Sequence, residues 1–219
     1  MIDAASVAAS LIKCFDASRF SAAPYRYWLI ADILPPEVCD AVDALPIRTA
    51  RVDDTLGKRE THNSARVFFS AKKRARYPVC EAISAAFQSA PVVERIERLC
   101  DAKLGGGYVR VEYCLDGEGF WLEPHTDIGA KMFTLLVYLS SEPGSEAWGT
   151  DILDSNLNLV AVAPYKRNAG LIFIPGGDTW HGFRRRPMNG VRRSLIVNYV
   201  KPEWRSRHEL AFPDRPAGV

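Results

Sequence analysis

Residues 105–115, GGGYVRVEYCL, divide the chain into two textures. Before them, apolar residues recur at helical intervals in MIDAASVAASLIKCF (1–15), in PEVCDAVDAL (36–45, with Val38, Val42 and Leu45), in YPVCEAISAAFQSA (77–90) and in PVVERIERLC (91–100), which Pro91 opens. After them no helical period recurs. Short β-rich runs at 108–115, 120–127, 132–140, 150–153, 157–163, 170–174, 179–183 and 191–200 are separated by Gly, Pro, Asn and Asp. Strands spaced by about 8 to 12 residues predict a sandwich, barrel or jelly roll and not a parallel sheet with crossover helices. An earlier apolar run, YRYWLIADIL (25–34), stops at Pro35-Pro36 and reads as a strand feeding the helix at 36–45.

The 219 residues favour one domain with a core large enough to fold without staples. Within it, 1–104 reads as helical support carrying the early strand, 105–200 as the β core and 201–219 as a C-terminal tail. The segment 46–65, PIRTARVDDTLGKRETHNSA, is polar, aperiodic and too long for an ordinary connection, so it is a candidate lid. Five cysteines, scattered and without a CxxC pair, argue against both a structural zinc site and a disulfide scaffold and fit a reduced, cytoplasmic protein. The N-terminal apolar run has no basic segment before it and reads as a helix and not a signal peptide. No stretch approaches the roughly 18 apolar residues of a membrane span. A net charge of +2 is too small a bias to indicate nucleic acid. The basic clusters at 72–76 and 184–186 read as solvated surface.

The chemistry concentrates in the β-rich half. In PHTD (124–127) a strand would turn His125 and Asp127 to the same side. GLIFIPGGDTWHGF (170–183) brings His181 onto a later strand of the same half. Two histidines and one carboxylate on neighbouring strands can occupy one face of a metal and leave the other open, the donor set of non-haem Fe(II) sites. In GVRRSLIVNYV (190–200) alternation puts Arg192, Ser194 and Ile196 on one face and Arg193, Leu195 and Val197 on the other. An arginine and a hydroxyl side by side suit a carboxylate, which the guanidinium binds bidentately. A buried arginine without an anionic partner is costly, so Arg192 calls for an acidic ligand.

The order HxD, TLLVYL (134–139), WGTDIL (148–153), GLIFIP…WHGF and R-x-S resembles the 2-oxoglutarate- and Fe(II)-dependent oxygenases, in the branch similar to prolyl 4-hydroxylases. WLIADILPPEVCDAV (28–42) is similar to that branch's opening strand and helix. The resemblance implies a double-stranded β-helix, or jelly-roll, core and a dioxygenase that uses Fe(II), 2-oxoglutarate and O2. His125, Asp127 and His181 would ligate the iron. Arg192 with Ser194 would hold the distal carboxylate of 2-oxoglutarate, with Tyr138 and Tyr113 contacting it. One departure is Gly149-Thr150-Asp151, where relatives often carry Gly-Gly before an acidic residue. The expected primary substrate is a small molecule, such as a free or carrier-bound amino acid or another metabolite, with a prolyl or other peptide substrate as the alternative. His62, Asn63 and Arg66 form a candidate substrate-reading set. A cupin-like metal isomerase would share the histidines without needing Arg192 and Ser194, and a binding module would not need the triad.

Overall fold

The computed structural model describes residues 2–47, 56–59 and 65–219. The chain is mainly β, with two antiparallel sheets and five helices among the described residues. The larger sheet has seven strands in the order β1-β2-β9-β6-β11-β4-β3, and the smaller has four in the order β5-β10-β7-β8. The large sheet comprises β1 (Arg19–Ser21), β2 (Tyr27–Ala31), β3 (Arg66–Phe68), β4 (Tyr108–Asp116), β6 (Lys131–Tyr138), β9 (Ala169–Phe173) and β11 (Arg192–Val200). The small one comprises β5 (Leu122–His125), β7 (Asp151–Leu153), β8 (Leu159–Val162) and β10 (His181–Phe183). Each of the eight β-rich runs contains one strand, so the turn residues between them mark real boundaries.

The long pair β4–β11 organises the site, because its ladder runs unbroken from Arg192 opposite Asp116 to Val200 opposite Tyr108. Alternation splits its side chains between two cores. Val109, Val111, Tyr113, Leu115, Leu195, Val197 and Tyr199 face the helices. Cys114 and Ile196 join Leu136, Tyr138, Phe173 and Phe183 in an aromatic cluster on the other face.

The helices are α1 (Ala4–Asp16), α2 (Pro36–Asp43), α3 (Ala71–Arg76), α4 (Pro78–Gln88) and α5 (Ala90–Cys100). In α1, Asp3 caps the first turn by accepting from the Ser6 amide at 2.9 Å, and Val7, Leu11, Cys14 and Phe15 form the buried stripe. Pro78 and Pro91 start α4 and α5, where a missing N–H costs nothing. Each large apolar side chain buried here contributes about 1.5–3 kcal/mol, so this layer clamps the outer face of the large sheet.

Three elements, α3, β1 and β3, differ from expectation. The basic cluster at 72–76 lies in α3, where Arg74 stacks on Phe212 at 3.8 Å and donates to the Ala211 carbonyl. The hairpin strand β1 precedes the first expected strand. Most of the 46–65 segment lies outside the described residues. All five cysteines are free and buried, and burial pushes the Cys14, Cys80, Cys100 and Cys114 thiols up to about 12. Among the described residues no helix is long and apolar enough to cross a membrane.

Candidate functional site

His125 and His181 face each other directly across the β5–β10 ladder, with ring centroids 4.3 Å apart. Each Nδ1 lies at hydrogen-bonding distance from the backbone carbonyl two residues earlier, Glu123 at 2.8 Å and Thr179 at 2.9 Å. A carbonyl only accepts, so both Nδ1 atoms carry the proton and both Nε2 lone pairs are left for a ligand. β5 ends at His125, so Asp127 lies two residues past the strand and not on it. One ligand atom from each of His125, Asp127 and His181 nevertheless falls within 4.8 Å of the others, a set that can hold a metal ion.

The environment keeps Asp127 and His181 in their ligating forms. Burial would raise the Asp127 carboxyl. Lys131, His181 and hydrogen bonds from Lys131 and Thr134 outweigh it and hold the group well below the usual carboxylate range. Burial, and then His125, push His181 down to about 4 against the pull of Asp127, leaving a neutral imidazole. Lys131 Nζ donates to Asp127 Oδ1 at 2.6 Å and Thr134 Oγ1 to Oδ2 at 2.7 Å. Thr134 accepts in turn from Asn198 Nδ2 at 2.9 Å, and Asn198 Oδ1 accepts from Arg110 at 3.2 Å. Arg110 is bound to Glu112 and to Glu209. A continuous polar chain thus runs from the candidate metal ligand along the inner face of three strands.

Arg192 is buried on the same face, its Nε donating to the Trp148 carbonyl at 2.9 Å. Thr150 Oγ1 accepts from Tyr138 Oη at 2.9 Å and lies 3.4 Å from Arg192. The arginine does not lack an anion, as the sequence suggested. Asp116 Oδ2 accepts from it at 3.0 Å, and Asp116 Oδ1 accepts from Arg59 at 2.6 Å. Ser194, two residues on along the same strand face, has a fully buried hydroxyl without a hydrogen-bond partner. Leaving it so costs about 1–3 kcal/mol.

One cavity of about 350 Å³ joins the two groups of residues. His125, Asp127, His181, Arg192 and Thr150 line it, with Leu136, Ile196 and Phe183 as apolar wall. Ser194 and Tyr138, paired across β11 and β6, share that sheet face but do not line the cavity. Arg66 also lines it, bound to Glu112 at 2.8 Å. Burial would raise the Glu112 carboxyl, but Arg110, Arg66 and Arg59 push it down to about 2.

Tyr113 requires correction. It sits opposite Leu195 on the odd-numbered face of β4, packs in the helix-side core and lines a separate pocket with Asp43 and Arg193, so it cannot reach the Arg192 cavity. His62 and Asn63 lie outside the described residues. The basic cluster at 184–186 is engaged: Arg184 and Arg186 pair with Asp151, and Arg185 stacks on Trp121. Asp116, Thr150, Thr134 and Arg59 were not anticipated. For Asp116 a signal exists in YVRVEYCLD, where Arg110, Glu112 and Asp116 fall on one parity of an otherwise apolar strand.

No protein-family model matches the chain, and no curated protein does. Solved structures do. A prolyl 4-hydroxylase from Phytophthora capsici superposes with a TM-score of 0.59 at 14% identity, over 92% of this chain and 66% of that one. This chain therefore spans slightly under two thirds of that protein. A Pseudomonas putida prolyl-4-hydroxylase gives 0.55 at 15% identity, over 89% and 94% of the two chains. SnoN, a non-heme alpha-ketoglutarate-dependent epimerase from nogalamycin biosynthesis, gives 0.53 at 11% identity, over 90% and 84%. The fold is that of these oxygenases.

Proposed function

We propose that the chain is a non-haem Fe(II)- and 2-oxoglutarate-dependent dioxygenase, built on a double-stranded β-helix, that oxidises a small molecule. The observation that carries this is the convergence, in one cavity, of the His125–Asp127–His181 donor set with Arg192, the unpartnered hydroxyl of Ser194 lying on the same strand face. The donor set fits a divalent iron, with two imidazole nitrogens and one carboxylate. Bound iron would supply the oxygen chemistry that couples decarboxylation of 2-oxoglutarate to succinate with oxidation of the second substrate.

The chain's own residues do the rest. Hydrogen bonds to the Glu123 and Thr179 carbonyls fix the imidazole tautomers. Thr134 and Lys131 hold the Asp127 carboxylate in its charged form. Arg192, steadied by Trp148, Thr150 and Asp116, presents its remaining N–H groups to the distal carboxylate of the keto acid, with Ser194 beside it. Leu136, Ile196 and Phe183 line the space between with apolar surface.

Cavity size favours a small substrate, because about 350 Å³ must hold the keto acid as well. A peptidyl substrate remains the second reading, favoured by the fold shared with prolyl hydroxylases. Succinate release with Fe(II), ascorbate and 2-oxoglutarate tests the chemistry. No release, with none restored by any cell extract, would sink it. Stimulation by the low-mass fraction of an extract supports the small substrate, and stimulation by the macromolecular fraction alone overturns it.

A further inference from the structure

Asp116 is buried at the end of β4 and binds two guanidinium groups, one through each oxygen: Arg59 at 2.6 Å and Arg192 at 3.0 Å. Both arginines line the cavity. They rest on neighbouring rings, Arg59 on Phe120 at 4.6 Å and Arg192 on Phe183 at 4.8 Å, and these rings lie 5.5 Å apart. Arg59 is no surface residue reaching inward, since its side chain is only 15% exposed.

The charges matter more than the contacts. Asp116 cancels Arg192, so that pair alone is neutral and offers an incoming carboxylate hydrogen bonds but no net attraction. Farther along β4, Arg66 and Arg110 stand against Glu112 and Glu209, again with no net charge. Within the cluster of Asp116 and its two described guanidinium partners, the second cation, Arg59, leaves a net positive charge of one. A single carboxylate would neutralise it.

We infer that Arg59 is a specificity-determining residue for the co-substrate, supplying the net positive charge through which the Arg192 site selects a keto acid with a distal carboxylate. The inference rests on the 2-oxoglutarate reading above. At an effective dielectric constant of about 20, a unit charge about 6 Å from an opposite charge is worth on the order of 100-fold in affinity. Side-chain rearrangement and solvent reduce that, so a 10- to 100-fold effect is expected.

The test is binding, without turnover. Calorimetry on the Mn(II)-loaded protein under anaerobic conditions compares 2-oxoglutarate with 2-oxobutyrate, which presents the same keto acid but no distal carboxylate. The ratio of the two affinities reads the distal site. Arg59→Gln should lower that ratio 10- to 100-fold, and Arg59→Lys, which keeps the charge, by less than about threefold. Adding Asp116→Asn to Arg59→Gln leaves Arg192 as the sole charge and should restore most of the loss. An unchanged ratio in Arg59→Gln overturns the inference. So does a loss that Asp116→Asn fails to restore, because Arg59 would then be only structural. Arg192→Ala separates the two levels: if it abolishes the ratio while Arg59→Gln does not, only the role of Arg59 fails, and if it leaves the ratio intact, the co-substrate reading fails too.

Discussion

Thr134→Val is a nearly isosteric change at the junction between the candidate metal ligand and the polar chain behind it. It deletes a 2.7 Å hydrogen bond to Asp127 and a 2.9 Å one from Asn198. Asn198 keeps the Phe133 carbonyl at 3.2 Å and Asp127 keeps Lys131, so neither group is stranded. The stability loss should therefore stay near 1.5–3 kcal/mol, the worth of one hydrogen bond to a charged group. The metal should respond more specifically. Without Thr134, only Lys131 on the opposite oxygen orients the carboxylate, and loss of such an outer partner typically weakens metal binding 10- to 100-fold. Anaerobic titration of Fe(II) or Mn(II) by calorimetry, alongside urea unfolding, measures both quantities. Thr134→Ser keeps the hydroxyl and should bind metal within about threefold of the parent, the precision expected of a retained hydrogen bond. Metal affinity in Thr134→Val equal to the parent's, at any stability, would show that Thr134 does not orient Asp127.

Arg193→Ala removes a half-exposed ion pair with Glu142 at 2.5 Å, on the face turned away from the cavity. It should cost no more than about 1 kcal/mol in urea unfolding and leave 2-oxoglutarate affinity unchanged; a large affinity loss would shift the strand register by one. Glu112 ionises at about 2 when folded and near 4.5 when not, so its contribution is complete above about pH 4.5 and lost as pH falls toward 2. The stability gap between the parent and Glu112→Gln should therefore shrink from pH 6 to pH 3, and a constant gap would contradict the role given to Arg110 and Arg66. Gly170→Ala places a methyl 2.4 Å from the Leu136 carbonyl and 2.7 Å from Ile33 Cδ1, which should cost about 3 kcal/mol and lower the melting temperature by several degrees. The five thiols should react with a disulfide reagent only after denaturation, and rapid labelling of the native protein would show that one of them is not enclosed.

The β-rich half was legible because its strands obey a two-residue period between strong turn signals. His125 and His181 followed from that, and Arg192 followed from parity. Tyr113 failed for the same reason: a residue aligned by a motif's spacing, without regard to parity, landed on the helix side of β4. β3 was hidden because Arg66–Phe68 has no alternation of its own and becomes a strand only by pairing with Glu112–Cys114. α3, AKKRAR, buries no side chain and is held by Arg74 against Phe212, Ala211 and Glu81, contacts made across the fold. Asp116 was invisible as a partner of Arg192 because 76 residues separate them, and only the β4–β11 register places them opposite one another. Thr150 stood in plain view as a departure from the family pattern, yet nothing local shows that it joins Tyr138 to Arg192.

The two-faced ladder of β4 and β11 also bears on how this protein can be changed in the laboratory. Odd-numbered positions from Val109 to Leu115 and from Leu195 to Tyr199 carry the mutational load of foldability, and a library that varies them will mostly yield inactive aggregates. Even-numbered positions carry the polar groups of the site, together with Cys114 and Ile196 of the aromatic cluster, so changes there alter the chemistry of the cavity and its support together. The salt-bridged residues on this sheet face form linked genotypes. Arg66, Arg110 and Glu112 lose 3–5 kcal/mol if one charge is left alone, by the usual cost of an orphaned buried ion, whereas an all-apolar replacement can be neutral. Adaptive walks on this surface therefore advance by coordinated replacements, and screens limited to single changes will miss the productive routes.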